Sequence, residues 1–202
     1  MKQKLSEKYL EEIIHSDGAT EPIKATIQDR HWRTWSAILE IKSVIEDCRS
    51  QAIGGLAAGI ELWELAVIPM LLNNSGTWTK ISDDLIKKLN GYQNKMLQML
   101  FSVPRTTPSI ALWWDVGTLL LEFRIKDRKL ILAHHLTNLP DFALGRRVYD
   151  EQDKLGLPGL SQEISSLVIE LDIPSVKKDE QTKQSWKNLV KSAVKKSPTP
   201  YF

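Results

Sequence analysis

The sequence predicts a mainly α-helical protein, an irregular bundle of six to eight helices joined by short polar turns. Three observations predict it. Apolar residues recur at three- and four-residue spacing in segment after segment of the 202 residues. Helix-start signals such as Ser82-Asp83-Asp84, and helix-stop signals such as Gly117 and Gly156, punctuate that pattern. One apolar stretch, Leu56–Trp78, is long enough to be the helix the others pack around.

That stretch is interrupted only by Glu61 and Glu64 before the polar turn at Asn73. Apolar residues fall on nearly every side of it, which predicts a helix buried nearly all round. Gly54–Leu72 is almost long enough to span a membrane. Two mid-span glutamates would cost roughly 2.5–3.5 kcal/mol each there, and Pro69 would kink the helix. A core helix and no membrane partner is the reading that follows.

The N-terminus departs from the helical pattern. Tyr9, Leu10, Ile13 and Ile14 precede a Ser-Asp-Gly turn and read as a short strand or β-hairpin arm, although EKYLEEII reads equally as helix. Thr20 and Pro22 then open a helix whose buried stripe is Ile27, Thr34, Ile38, Ile41, Ile45 and Cys48. Trp32 and Leu39 lie on a second flank, so this helix is expected to touch two neighbours. Gly54-Gly55 breaks the pattern before the central stretch.

After the turn Asn73–Gly76, Ser82 caps a helix with Ile81 and Ile86 at the positions of a hydrophobic staple. Its apolar side is Leu85, Leu89, Tyr92, Met96, Met99 and Leu100, and Lys87, Lys88, Asn94, Lys95 and Gln98 lie opposite. Pro104 ends it, Thr107-Pro108 opens a short helix, and Gly117 closes that one. Helices follow over 119–137, 141–155 and 161–171. The last, 177–196, has a core side of Trp186, Leu189, Val190, Ala193 and Val194. By composition the chain divides into an arm (1–18), a helical bundle (19–174) and a basic amphipathic helix with its tail (175–202).

Composition narrows the function classes. With 42% apolar and 26% charged residues the chain reads as globular rather than disordered. The single cysteine, Cys48, rules out an internal disulfide framework and a CxxC metal site. It favours a reducing, intracellular setting, nucleus or cytoplasm, and no secretory leader is apparent. The net charge of +2 is uneven: residues 175–202 carry +5 and the remainder −3. A basic end on a near-neutral body fits a phosphate-rich partner.

No motif announces a reaction. His134-His135 are helix neighbours about 100° apart and cannot ligate one ion, and no HExxH accompanies them or Asp127. A partly exposed helix face is the simpler account. Glu61 and Glu64 are better placed to meet a cation or lie at a rim than to work as paired acids. Cys48 reads as a small core residue. Gly54-Gly55 and Gly59 form no phosphate loop.

The basic groups carry more. Lys187, Lys191 and Lys195 recur every four residues, opposite the apolar side of the last helix. Arg124, Arg128 and Lys129, with Arg146-Arg147, form a second phosphate-facing set. A solvated face is the plain alternative for each. Trp113-Trp114 cannot both point inward on a short helix, so one is available to stack on a base or on another domain.

In order, these landmarks resemble the C-terminal thumb and connector region of a non-LTR retrotransposon reverse transcriptase, the part that follows the catalytic palm. Lys8-Tyr9-Leu10, Ile13-Ile14 and Asp17-Gly18 resemble the family's KYLGxxI and DG turn. Leu71–Trp78 is similar to its LLxNSExW, and Pro104, Thr107-Pro108 and Leu112–Gly117 to its PxxTPxxxLxxELG. Arg128-Lys129-Leu130 with His134 resembles its RRLxFLH-like helix. Leu171–Ile173 with Trp186–Lys191 resembles a closing LxI…FKxLVK segment.

The resemblance implies that 1–18 is the end of the palm, with Tyr9 and Leu10 in a primer-grip-like position, and that the bundle is thumb-like. Glu11 stands where the family has glycine. No (F/Y)xDD occurs, and polymerases need paired carboxylates to hold two metal ions. Asp83-Asp84 follow Ser82 at a helix start instead. The implied chain is therefore no enzyme alone and holds no cofactor. Magnesium and RNA-directed DNA polymerase activity belong to a full-length parent. Its implied partners are an RNA–DNA or RNA template–primer duplex, held by its backbone, and the parent's palm domain. The alternative is a helical protein-interaction module, a domesticated or decayed remnant.

Overall fold

A 31-residue helix, α1 (Thr20–Ser50), dominates the first half of the chain. In this computed structural model the described residues are 6–9, 12–15, 20–50, 55–79, 81–175 and 182–196. The strands β1 (Ser6–Tyr9) and β2 (Glu12–His15) pair antiparallel, with Tyr9 opposite Glu12 and Ser6 opposite His15. After α1 come α2 (Gly55–Leu62), a π-helical turn Trp63–Val67, and α3 (Ile68–Leu71). These three run on as one helical rod. α4 (Asp83–Leu100), α5 (Ser109–Val116) and α6 (Leu121–Thr137) follow. α7 (Leu144–Lys154), α8 (Leu160–Glu170) and α9 (Lys183–Lys196) complete the set. Eight helical rods and one hairpin among the described residues make a mainly α, irregular bundle, as the periodicity predicts. Leu10, the Ser-Asp-Gly turn and the side chain of Cys48 lie outside the described residues.

Packing divides the chain into two compact units, where composition had divided it at 18/19 and 174/175. One unit is Met1–Asn73 with Ile81–Glu122, the other Asn74–Lys80 with Phe123–Phe202.

In the first unit α1 lies against α2, α3 and α4, and α4 against α5. The buried residues are those of the expected stripes: Ile27, Ile38 and Ile45 of α1, Leu89, Met96 and Leu100 of α4. A Cβ on Gly59 would stand 2.6 Å from Ile45 Cδ1, so the bare glycine leaves room for that side chain where α1 meets α2. Thr34, fully buried on the α1 stripe, satisfies its hydroxyl by donating back to the carbonyls of Arg30 (2.8 Å) and His31 (2.9 Å).

Two expectations about this unit need correction. The central rod is not buried all round: Trp63, Val67, Ile68 and Leu71 are, but Leu65 is 69% exposed, Met70 is exposed and Leu62 is half-buried. Its apolar residues outnumber the positions its neighbours can cover. Pro69 brings a π-helical turn just before it, with Ile68 N–H donating to the Trp63 carbonyl. A proline ring would clash with the carbonyl four residues back, and widening the preceding turn relieves that. Helix α1 does touch more than one neighbour, as expected, but not by way of Trp32 and Leu39, which are exposed.

Polar residues at key junctions were not singled out by periodicity. Arg30 is buried and its guanidinium donates to the Asn73 carbonyl just past α3. Gln93, fully buried, donates to the Leu119 carbonyl (2.9 Å) and accepts from Leu121 N–H (3.1 Å), one of the donors a helix start leaves without an intrahelical partner. Ser82 caps α4 as expected, its hydroxyl accepting from Leu85 N–H. Gly117 closes α5 at φ 66°, a left-handed conformation that suits glycine.

The second unit is built on α6. The short 3₁₀ turn Ser75–Thr77 lies against it so closely that a Cβ on Gly76 would stand 3.1 Å from the Arg128 carbonyl. Leu130 and Ala133 of α6, Ile164 and Leu167 of α8, and Trp186, Val190 and Val194 of α9 are buried. The apolar side foreseen for α9 is thus the buried one. No helix among the described residues is long and apolar enough to cross a membrane.

Candidate nucleic-acid interface

Helix α6 carries four cations in six residues, and its neighbours sort them. Lys126 pairs with Glu170 at 2.7 Å, and Lys129, itself buried, pairs with Glu163. Both acids belong to α8, seven residues apart on one face of it. These lysines fasten α8 to α6. Lys129, expected among the phosphate-facing residues, is instead committed to this internal contact.

Arg124 and Arg128, one turn apart, face a different neighbour. Helix α9 docks on α6 through Trp186, whose indole N–H donates to the Leu130 carbonyl at 2.9 Å. The ring of His134 stacks on that indole at 5.9 Å between centroids. His134 is buried by this contact, contrary to the partly exposed face expected of it, while His135 is exposed. Docking in this register brings Lys187 and Lys191 toward α6.

Asp127 reports the result. Burial pushes its carboxyl above the usual value, and four cations oppose that: Lys191, Arg128, Arg124 and Lys187. One carboxylate thus senses two cations from each of two helices, which gathers the four around it. Its Oδ1 is buried without a hydrogen-bond partner. Lys195 lies one turn beyond Lys191 and is exposed. Along either helix the paired cations repeat at about 6 Å, four residues at 1.5 Å rise, a pitch comparable with successive phosphates on one strand.

The remaining candidates lie elsewhere. Arg146 is held by Asp150 at 2.6 Å and donates to the carbonyl of Thr137, where it complements the C-terminus of α6. Arg147 is exposed on α7. Tyr9 is in β1, with its side chain outside the described residues. Trp113 donates to Asn94 Oδ1 at 2.6 Å and Trp114 is exposed, so the pair does split as helix geometry requires. Glu64 accepts from the Thr118 hydroxyl at 3.4 Å and Glu61 is exposed; neither arrangement makes an acid pair.

Among the described residues, no three His, Cys, Asp or Glu side chains lie together as a metal ion would need. Asp83 and Asp84 are exposed in the first turn of α4, where they favour the helix dipole. They do not fit a two-metal polymerase centre. Comparison with protein-family models, curated proteins and solved structures gave no match.

Proposed function

We propose that this chain holds nucleic acid by its phosphate backbone, as a non-catalytic thumb-like module of a non-LTR retroelement reverse transcriptase whose chemistry resides on a separate palm. The observation that carries the reading is the convergence of Arg124, Arg128, Lys187 and Lys191 around Asp127. These cations outnumber the carboxylate they share, and along each helix they repeat at a pitch suited to a strand. Such binding is tolerant of sequence and sensitive to salt, because it neutralises phosphates and reads no base edges. The template–primer duplex, the palm partner and the magnesium of the parent enzyme rest on the family resemblance alone.

The test is fluorescence anisotropy with an RNA–DNA hybrid across a salt series. Four phosphate contacts give a slope of log K against log salt of roughly −2.8 to −3.6, at about −0.7 to −0.9 per contact. Lys187→Gln with Lys191→Gln halves that slope for unrelated sequences alike and leaves the fold intact. Absence of wild-type binding at low salt, or an unchanged slope in the double variant, overturns the reading.

A helical protein-interaction module is the second reading, and α7 favours it. None of its residues is buried, and Leu144, Val148 and neighbouring Leu155 form an exposed apolar stripe. Phe142, 85% exposed, precedes it, and an open groove of about 690 Å³ runs along the helix beside Leu157.

A further inference from the structure

The first unit carries an aromatic cluster of its own, where α1 meets α4. His31 of α1 lies flat on Tyr92 of α4, the rings 3.8 Å apart and within 7° of parallel. Trp35 meets His31 edge-on at 5.8 Å, and Trp32 leans on it at 5.6 Å and 49°. Trp32 is 63% exposed, so the cluster ends in an indole open to solvent. Lys88 and Lys95 flank Tyr92, one turn before and one turn after it, and both are exposed. The Lys88 ammonium is 5.7 Å from the Tyr92 ring centroid.

The two lysines and the rings form one site. Burial holds the His31 imidazole below its usual pKa, and Lys95 and Lys88 depress it further, so both ammonium groups act on the same ring. His31 is therefore neutral at pH 7, an aromatic surface rather than a third cation. On α1, Asp29, two residues before His31, pairs with Arg33 at 3.2 Å. On α4, Asp84 stands one turn before Lys88.

We infer that this face binds single-stranded nucleic acid, with an unpaired base stacked on the Trp32 indole and adjacent phosphates on Lys88 and Lys95. An exposed indole backed by fixed rings offers a base a platform whose ordering cost is already met. A base has a flat face whatever its identity, and aromatic surface interleaved with cations is the combination that unpaired strands require. A duplex offers no free base face, so the ligand class differs from that of the α6–α9 cluster. A peptide would find apolar rings here too, but the two lysines at either end of Tyr92 match a chain bearing regularly spaced negative charge.

The experiment measures anisotropy of labelled oligo-dT and oligo-U, beside the RNA–DNA hybrid, with the whole chain. Trp32→Ala weakens single-strand binding roughly 5- to 150-fold, the range for losing one base–aromatic stack, with the salt slope and hybrid affinity unchanged. Trp32→Phe retains most of the affinity. Lys88→Gln with Lys95→Gln flattens the single-strand slope by about 1.4, at about 0.7 per contact. Equal single-strand affinity in wild type and Trp32→Ala, or no single-strand binding by wild type at low salt, overturns the inference. So does sedimentation showing that Trp32→Ala abolishes self-association while single-strand affinity is retained. The two sites fail separately: hybrid binding absent from wild type removes the α6–α9 reading, whereas Trp32-dependent oligo-dT binding still supports this one.

Discussion

Removing the Trp186 side chain tests whether the α6–α9 cluster is assembled by docking. The indole is buried, and a buried tryptophan covers roughly 150–250 Å². At about 25 cal/mol per Å² that is about 4–6 kcal/mol of transfer free energy, and measured Trp→Ala changes cost about 3–5 kcal/mol. The N–H donated to the Leu130 carbonyl adds about 1 kcal/mol of net stabilisation. Helix α9 has 14 residues, a length at which isolated helices are marginal in water. Trp186→Ala therefore releases α9 by local unfolding before the rest of the second unit opens.

The assay is amide hydrogen exchange combined with the hybrid-binding salt series. In Trp186→Ala, amides of 186–196 lose protection and those of α6 keep it. The salt slope then loses what Lys187 and Lys191 supplied, about 1.4 to 1.8 for two contacts, although neither lysine has been changed. Trp186→Phe costs less, about 2 kcal/mol, because an aromatic ring remains and the helical Leu130 carbonyl keeps its intrahelical partner. Protected α9 amides with an unchanged slope in Trp186→Ala would refute the docking argument.

Two further substitutions probe single residues. Asp127→Asn is expected to melt higher than wild type at pH 7, since it removes a carboxylate whose ionisation is opposed by burial, and to bind the hybrid more tightly, since it removes a negative charge beside four cations. The folded carboxyl titrates above its unfolded value of 3.8, so its stabilising contribution is complete below pH 3.8 and lost as pH rises through the raised pKa. The Asn advantage should accordingly shrink as pH falls through that window; an Asn variant less stable at pH 7 defeats the assignment. Within the central rod, Trp63→Ala should cost about 3–5 kcal/mol in urea denaturation and Leu65→Ala within about 0.5 kcal/mol. Equal costs would mean that the buried side of the rod has been misassigned.

The helices were legible because their signals are local. Ser82 and Gly117 mark ends by hydrogen-bonding and backbone preferences that need no distant partner. Trp186, Val190 and Val194 share a face at any docking angle. What periodicity cannot convey is how much of an apolar surface its neighbours cover. Trp32 and Leu65 look like core in the sequence and are exposed, because burial depends on which helix crosses and where. Gln93 was invisible for a related reason. A glutamine amid an apolar face reads as a blemish until the chain 26 and 28 residues later brings it an orphan carbonyl and an orphan N–H.

The cations show the same limit in a sharper form. Arg124, Lys126, Arg128 and Lys129 have nearly equal claims to a phosphate when only their own helix is considered. Their roles separate through acids supplied by another helix: Glu163 and Glu170, seven residues apart on α8, take Lys129 and Lys126. A charge that meets a fixed carboxylate at close range is already neutralised, and displacing that carboxylate with a phosphate would gain little. Arg124 and Arg128 fall on the other side of α6, where α9 contributes Lys187 and Lys191 and all four cations act on Asp127. Net charge along the sequence thus identifies the helices that could bind a polyanion. Which side of each helix does so follows from where α8 places its glutamates and α9 its lysines.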